Sequence, residues 1–171
     1  MAIDRTQKFF WRDGGEHVAD PSTTYLWVGG APLKMTAGAD EKAMVTSNMT
    51  QAQFYGVALL RKGEQLGSGL GTASGVPVTV LKGPGSIRLV KETLDAYAPW
   101  AANITFAVGD LLRPVANALT GGTYSQWTNA AFTSEQLNCM YVYPAMVRKI
   151  DGTEANPTAL EIDLGWFTKI A

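Results

Sequence analysis

Hydrophobic and polar residues alternate along several short stretches of this chain, with the two-residue period of a half-buried β-strand. The clearest stretch is ALEIDLGWF, in which Leu160, Ile162 and Leu164 share one face. Glu161 and Asp163 share the opposite face. We therefore predict a strand here, with its aliphatic face in the core and its acidic face in water. The other β-type stretches are TTYLWVGG, VPVTVLKG, SIRLV, NITFAVG and CMYVYPAMVRKI.

Turn residues divide these stretches and indicate how they connect. A Gly-Pro-Gly turn separates VPVTVLKG from SIRLV, so residues 76–90 are predicted to form a hairpin. NITFAVG is predicted to place Ile104, Phe106 and Val108 on one face of a strand. Pro144 interrupts CMYVYPAMVRKI, which favours an edge strand or a bulge at that point.

Helical patterns in the chain are weak. Residues 91–100 and 133–140 each fit only a couple of helical turns, too few to organise a fold. We therefore expect a mainly β fold, a small β-barrel or sandwich of short antiparallel strands with a few short helical turns in its connections. The expected organisation is an extended N-terminal arm over residues 1–22 and a single β domain over residues 23–171.

The arm contains an aromatic trio, Phe9, Phe10 and Trp11, set among charged residues and followed by two glycines. Two interpretations of this trio stay open. In one, it is the apolar, contact-forming centre of an arm with flexible flanks. In the other, it belongs to a first strand packed into the core.

The two halves of the chain contain similar sequence patterns in the same order. In each half a glycine opens a short apolar-basic strand, GAPLK from Gly30 and GDLLR from Gly109. Each half continues with an aromatic strand that ends in Arg-Lys, FYGVALLRKG or YVYPAMVRKIDG, and closes with an alternating strand. The offset between the halves drifts from about 79 to about 87 residues, as loop insertions would make it. We interpret residues 28–90 and 104–168 as half-repeats from an internal duplication, the alternative being that any two β-rich halves look alike.

Composition and charge narrow the function class. At 171 residues the chain suits one domain, and its 17% charged residues and 18 glycines favour a turn-rich β protein over a helical bundle. The formal net charge of -1 predicts no bulk attraction to nucleic acid or anionic membrane. The sequence has neither the apolar core of a signal peptide nor an apolar stretch near the roughly 20 residues of a membrane span. We therefore expect a soluble protein of a reducing cytoplasm.

No group of residues predicts catalysis or metal binding. The single histidine, His17, lies in the polar arm outside any motif, and the single cysteine, Cys139, lies in an apolar context typical of a small buried residue. One cysteine excludes an intrachain disulfide and a cysteine-based zinc site. Glu161 and Asp163 share a face that could hold a cation, but strand alternation already accounts for them. We predict no catalytic, cofactor-binding or metal-ligating residue, and no cofactor.

The glycine-rich stretch GEQLGSGLGTASG spans residues 63–75. It lacks the Gly-Lys-Ser/Thr of a phosphate-binding loop and precedes a strand rather than a helix. We interpret it as a flexible loop between strands, able in an assembly protein to reach a neighbour. Its candidate contact residues are Gly67, Gly69 and Gly71.

Together these patterns resemble the capsid decoration, or cement, proteins of tailed bacteriophages. Those small β proteins repeat an alternating valine-rich strand, an (A/T)xGDxL/V corner, a small-residue turn and a G(V/Y)A strand. The matching segments here are GVPVTVLKGPGSIRLV, FAVGDLLRPVANALTGG, YGVALLRKG with YVYPAMVRK, and ALEIDLGW, within residues 28–168. The chain departs from the pattern at its aromatic arm, and at Tyr143-Pro144, which stands where the other half has Gly-Val.

The resemblance implies a structural virion protein, not an enzyme, that binds the outer surface of the assembled capsid and stabilises contacts between major capsid protein subunits. The implied partners are the major capsid protein and further copies of this chain, as a homo-oligomer such as a trimer, with no nucleic acid and no membrane. The implied location is the virion surface, after synthesis in the host bacterial cytoplasm.

Given this resemblance, we predict that the arm forms an interface, because aromatic and arginine side chains dominate the energetics of protein interfaces. The candidate interface residues in the arm are Phe9, Phe10, Trp11 and Arg12. Two alternatives stay open. One is another structural virion component, such as a tail or head-completion β protein, and the other is a small-ligand-binding β-barrel or enzyme.

Overall fold

The structure, a computed structural model, describes residues 17–19, 29–35, 42–44, 54–59, 77–78, 80–91, 98–119, 122–131 and 142–168. Within these ranges the chain forms eleven β-strands with their connections, and no helix. The predicted mainly β fold is therefore confirmed. The second predicted helical segment, residues 133–140, and most of the first lie outside the described residues.

The first sheet is built from the N-terminal half of the chain. Its strands are β1 (His17–Ala19), β2 (Pro32–Met35), β3 (Lys42–Met44), β4 (Gly56–Ala58), β5 (Pro77–Val78) and β6 (Val80–Leu81). They lie in the order β5-β1-β3-β2-β4-β6. β1 and β3 run parallel, and all other neighbours in this sheet run antiparallel.

The second sheet is built from the C-terminal half. Its strands are β7 (Gly85–Val90), β8 (Leu111–Leu119), β9 (Gly122–Thr128), β10 (Val142–Gly152) and β11 (Pro157–Thr168). They lie in the order β7-β11-β10-β8-β9, and every pair is antiparallel. The β10–β11 and β8–β9 pairs are long hairpins, so most of this sheet forms between strands that are close in sequence.

Both sheets contribute to one hydrophobic core. The first sheet supplies Val57 and Leu81, which pack in the same cluster as Leu112 and Ile162 of the second sheet. Trp127 on β9 is the largest fully buried side chain in this cluster. Because the sheets share their buried side chains, neither sheet buries its apolar face alone.

The predicted hairpin over residues 76–90 is wrong, because its two strands belong to different sheets. β6 pairs with β4 in the first sheet, whereas β7 pairs with β11 in the second. The chain crosses between the sheets at residues 82–84. There a β-carbon on Gly83 would stand 2.9 Å from Leu164 Cβ, closer than such atoms approach. The crossing therefore requires glycine at position 83.

The alternation predicted in ALEIDLGWF is confirmed on β11. Leu160, Ile162 and Leu164 are buried. Glu161 and Asp163 are partly exposed on the opposite face of the same strand.

Pro144 lies at a bulge, which is one of the two positions predicted for it. The register of β10 against β11 shifts between Tyr143 and Ala145. The alternative, an edge strand, is wrong, because β10 lies between β11 and β8. The bulge lets an interior strand accommodate a residue that has no backbone N–H to donate.

Residues 104–108 do not form the predicted strand. Phe106 is fully buried, but Val108 is 67% exposed and lies in a turn with Gly109. Gly109 has a φ of 93°, a conformation that favours glycine. The chain turns at this point and only then enters β8.

The two sheets contain three-stranded units with the same order, direction and register. In the first sheet β2 pairs with β4 and β4 with β6, and in the second β8 pairs with β10 and β10 with β11. The corresponding partners are Pro32–Val57 with Leu111–Met146, Leu33–Gly56 with Leu112–Ala145, Val57–Leu81 with Met146–Asp163, and Ala58–Val80 with Val147–Ile162.

A glycine in the same backbone conformation precedes each unit. Gly30 has a φ of 89° and Gly109 a φ of 93°. The Gly30 N–H donates to the Ala58 carbonyl at 2.7 Å, and the Gly109 N–H donates to the Val147 carbonyl at 2.8 Å. We call residues 29–31 the first corner and residues 108–110 the second corner.

The structural correspondence corrects the sequence alignment of the middle strands. Matching the two Arg-Lys dipeptides aligned Gly56-Val57 with Tyr143-Pro144, whereas the registers place Gly56 with Ala145. Tyr143-Pro144 is therefore not a replacement of Gly-Val. The first half therefore has two more residues than the second between this matched pair and the Arg-Lys dipeptide.

Candidate contact surfaces

The first corner is enclosed by three side chains. The indole Nε1 of Trp127 donates to the Gly30 carbonyl oxygen at 2.8 Å. A β-carbon on Gly30 would stand 2.7 Å from Leu89 Cδ2 and 3.2 Å from Pro99 Cβ. A leucine, a proline and a tryptophan therefore seal this corner inside the molecule.

The second corner has the same backbone shape but a different environment. A β-carbon on Gly109 would meet no atom within 4 Å. Val108 beside it is one of two large hydrophobic side chains that are exposed in the described part of the chain. The second corner is thus open to solvent and carries an exposed valine beside the glycine.

The carboxylate of Asp110 holds the second corner in shape. Its Oδ2 accepts from the Ala107 N–H at 2.8 Å and from Asn129 Nδ2 at 2.6 Å. Asn129 Nδ2 also donates to the Thr105 carbonyl at 2.8 Å. In the second corner the side chain of the Gly-Asp sequence thus supports the bend, whereas the first corner has Ala31 at this position.

A groove opens where the start of β4, the crossing at residues 82–84 and the end of β11 meet. It has a volume of about 470 Å³. Trp166 on its rim is 67% exposed, the second of the two exposed large hydrophobic side chains. The groove is lined by Phe54, Tyr55, Lys82, Gly83, Pro84, Leu164, Gly165 and Trp166.

The lining of the groove is mainly apolar. Phe54 in its wall also contacts Trp127, with ring centroids 5.6 Å apart, so the groove adjoins the core. Its single cation, Lys82, holds its Nζ 3.6 Å from the centre of the Tyr55 ring, a cation–π contact. No three His, Cys, Asp or Glu side chains converge among the described residues.

The acidic face of β11 is neutralised by a protein cation. The Arg148 guanidinium lies 3.6 Å from a Glu161 carboxylate oxygen and 3.7 Å from an Asp163 oxygen. Ser86 donates to Asp163 through its hydroxyl, and Arg148 donates to the Ser86 oxygen at 3.0 Å. The two carboxylates belong to a cross-strand polar network, the sheet form of a stabilising side-chain pair.

A second ion pair group lies on the same sheet. Arg88 donates to Asp151 at 2.6 Å, and Lys149 Nζ lies 3.0 Å from the other carboxylate oxygen. The hydrogen bonds from Arg88 and Lys149 lower the pKa of Asp151 below its usual value. This carboxylate is therefore ionised whenever the fold is intact near neutral pH.

Arg113 is a buried charge that organises the chain after β9. Its Nε donates to the Ala130 carbonyl at 2.8 Å, and a terminal nitrogen donates to the Ala131 carbonyl at 3.2 Å. Burial lowers the pKa of Arg113, an effect that the nearby Tyr143 opposes. The residue holds the segment leaving β9 against β8 and has a structural role.

Most residues that the sequence singled out lie outside the described residues. Of the predicted arm, only His17–Ala19 is described, as β1, and the His17 backbone pairs with Val78. All of the predicted contact residues lie outside the described residues, namely Phe9, Phe10, Trp11, Arg12, Gly67, Gly69 and Gly71. Cys139 lies outside them as well.

The exposure of Trp166, two residues after the buried Leu164, was not predicted from the sequence. The reason is visible in the pairing of β11. β7 begins at Gly85, opposite Leu164, so β11 has no β7 neighbour beyond that residue. The register of β11 against β10 also shifts between Leu164 and Phe167, and Trp166 in this irregular stretch reaches solvent.

No protein-family model, curated protein or solved structure matches this chain. Within the described part of the chain, no helix has the length and apolar character needed to cross a membrane.

Proposed function

We propose that this chain is a capsid decoration protein, which binds the outer surface of an assembled bacteriophage shell and stabilises contacts between major capsid protein subunits. The proposal begins from the resemblance of its repeated strand-and-corner segments to those proteins. It also includes self-association on the shell and a location on the virion surface.

The observation that carries the proposal is the role of the GD corner. This corner is the most recognisable segment of the resemblance, and its Asp110 is engaged in building a turn rather than in catalysis. The backbone of this corner recurs at Gly30 with equivalent backbone hydrogen bonds, although Ala31 stands there in place of Asp110. The repeated use of one turn as architecture supports a structural role for the chain.

Surface properties of the described residues support protein contact. The exposed apolar residues Val108 and Trp166 suit a protein partner, while the near-neutral charge does not suit a polyanion. A protein that binds the assembled shell and not its loosened subunits stabilises the assembly by mass action. Many copies on one lattice need only modest affinity each.

The direct test is co-sedimentation with shells assembled from the major capsid protein of the same virus. We expect saturable binding at many copies per shell and an increase in the temperature at which the shells open. Failure to bind intact shells would refute the proposal. Binding at only a few copies would instead favour a tail or head-completion component.

The arm is tested in the same assay with Trp11→Ala and Arg12→Ala, against Arg5→Ala as the matched control. Loss of shell binding with unchanged thermal unfolding of the free protein supports an interface role. A lower unfolding temperature in Trp11→Ala would place the aromatic trio in the core instead.

A second candidate function, binding of a small apolar ligand, is favoured by the groove beside Trp166. Its volume falls within the range of small-molecule sites, and its lining includes the aromatic side chains Phe54, Tyr55 and Trp166. A screen of aromatic and aliphatic compounds for changes in Trp fluorescence tests it, with Trp166→Ala as the control. A hit abolished by that substitution, together with absent shell binding, would favour this candidate.

A further inference from the structure

We propose that the groove beside Trp166 binds the second corner of another copy of this chain, joining copies head to tail. Val108 of one copy would enter the groove of the next, and the indole of Trp166 would donate to the Gly109 carbonyl. This contact is independent of shell binding.

The first line of support is that the chain contains a related contact internally, a tryptophan bonded to the glycine of a corner with the same backbone shape. The first corner and the second corner have matching φ angles and matching hydrogen bonds to their neighbouring strands. The first is covered, with Trp127 Nε1 bonded to Gly30. The second is open, with no atom within 4 Å of a β-carbon on Gly109. One of two equivalent turns therefore lacks the cover that the other receives.

The second line of support is that the groove offers the residue types that cover the first corner. That corner is enclosed by Leu89, Pro99 and Trp127. The groove is lined by another set of the same three types, Leu164, Pro84 and Trp166. Phe54 adjoins both sets, since it contacts Trp127 and lines the groove.

The third line of support is the exposure of the two partners. Val108 and Trp166 are both 67% exposed, and they are the two large hydrophobic side chains exposed among the described residues. Their association would remove both from water in one contact, which is favourable in proportion to the apolar area buried. Aromatic and apolar anchors of this kind dominate the energetics of protein interfaces.

The contact joins two different surfaces of the chain. An interface of this heterologous type leaves one unused groove and one unused corner at the ends of any open chain of copies. Repetition therefore gives a ring if the rotation closes, and a filament if it does not. Each copy in a ring makes the contact twice, once with each partner surface.

The test is sedimentation velocity on the full chain across a concentration series. We expect the wild-type chain to form oligomers, and Val108→Asp and Trp166→Ala each to shift it to monomer. Ala102→Asp is the matched control, because it adds the same charge at an exposed residue outside both surfaces. Wild-type protein that remains monomeric throughout, or variants that still associate as the wild type does, would overturn the proposal.

A mixing experiment tests the head-to-tail arrangement. Val108→Asp retains an intact groove, and Trp166→Ala retains an intact second corner, so equal amounts of the two should form heterodimers that neither forms alone. Far-UV circular dichroism checks that both variants are folded. Trp166→Phe keeps an aromatic ring at this position but loses the indole N–H donor. We therefore expect association to become weaker without being abolished. Two monomers that do not combine on mixing would refute this arrangement.

Discussion

Trp127 donates the hydrogen of its indole nitrogen to the carbonyl oxygen of Gly30, 97 residues earlier in the chain, at 2.8 Å. The bond is buried and connects β9 of the second sheet to the first corner before β2. It satisfies a carbonyl group that the tight turn would otherwise leave in an apolar environment. The two halves of the molecule are thus joined by a polar contact inside their shared core.

Trp127→Phe should destabilise the protein by about 1–3 kcal/mol, the usual cost of leaving a buried polar group without its partner. The substitution removes the N–H donor and also leaves a cavity, because phenyl is smaller than indole, so both changes contribute to the loss. Urea unfolding followed by circular dichroism gives the change in free energy. Trp166→Phe is the matched control, and in the monomer its effect should stay within about 0.5 kcal/mol, as for an exposed position. Equal effects of the two substitutions would contradict this role for the bond.

Asp110→Ala should cost about 1–2 kcal/mol, because it removes the acceptor for both the Ala107 N–H and the Asn129 side chain. Asn129→Ala removes the bond to Asp110 and an exposed bond to the Thr105 carbonyl, but it leaves the carboxylate on the Ala107 N–H and should cost less. Thermal unfolding of the two variants, measured below the concentration of any self-association, compares them. If Asn129→Ala is the more damaging variant, the carboxylate is not the centre of the turn.

Gly83→Ala should destabilise the protein by about 1–3 kcal/mol through overpacking. The added methyl would stand 2.9 Å from Leu164 Cβ and 3.0 Å from the Leu164 carbonyl oxygen, and backbone atoms cannot move aside easily. Gly165→Ala is the control, since its methyl would meet only the Phe167 ring, at 3.3 Å. Guanidinium unfolding of both variants is the measurement, and a neutral Gly83→Ala would show that the crossing has space to relax.

The pKa of Asp151 should rise toward its usual value in Arg88→Ala, because the largest cause lowering it is the hydrogen bond from Arg88. The folded-state pKa lies below the unfolded one, so the carboxylate stabilises the fold fully above the unfolded pKa. This stabilisation is lost as the pH falls through the folded pKa. Carboxyl NMR titration of the wild type and the variant measures the shift. Lys91→Ala, outside this ion pair group, should leave the titration unchanged.

The elements that sequence predicted well are those in which local pattern and tertiary environment agree. Alternation along Leu160, Ile162 and Leu164 predicted the buried face of β11, because β7 and β10 flank that stretch on both sides. Pro144 predicted its bulge through its missing N–H alone. Both signals depend on the chemistry of the strand itself.

The predictions that failed concerned which strands pair with each other and where that pairing ends. The Gly-Pro-Gly turn at residues 83–85 looked like a hairpin turn, but a turn signal does not specify which sheet the following strand joins. Close packing of Gly83 on Leu164 decides this, and no local pattern reports it. Alternation likewise placed Val108 on one face with Phe106, yet Phe106 is buried and Val108 is 67% exposed, and the exposure of Trp166 was not predicted. The contact surfaces were missed for the same reason, because they arise where pairing stops.

The described strands of the first sheet all precede residue 82, and those of the second sheet all follow residue 84. Each sheet is therefore contiguous in the chain, and the described backbone passes between them through three residues. The two sheets therefore resemble the two subunits of a heterodimer that are joined by a short linker. Their core is the interface of that heterodimer, with Trp127 and Gly30 as a contact across it. A chain cut within the linker would leave two fragments, each carrying one complete repeat unit and half of a ready-made interface.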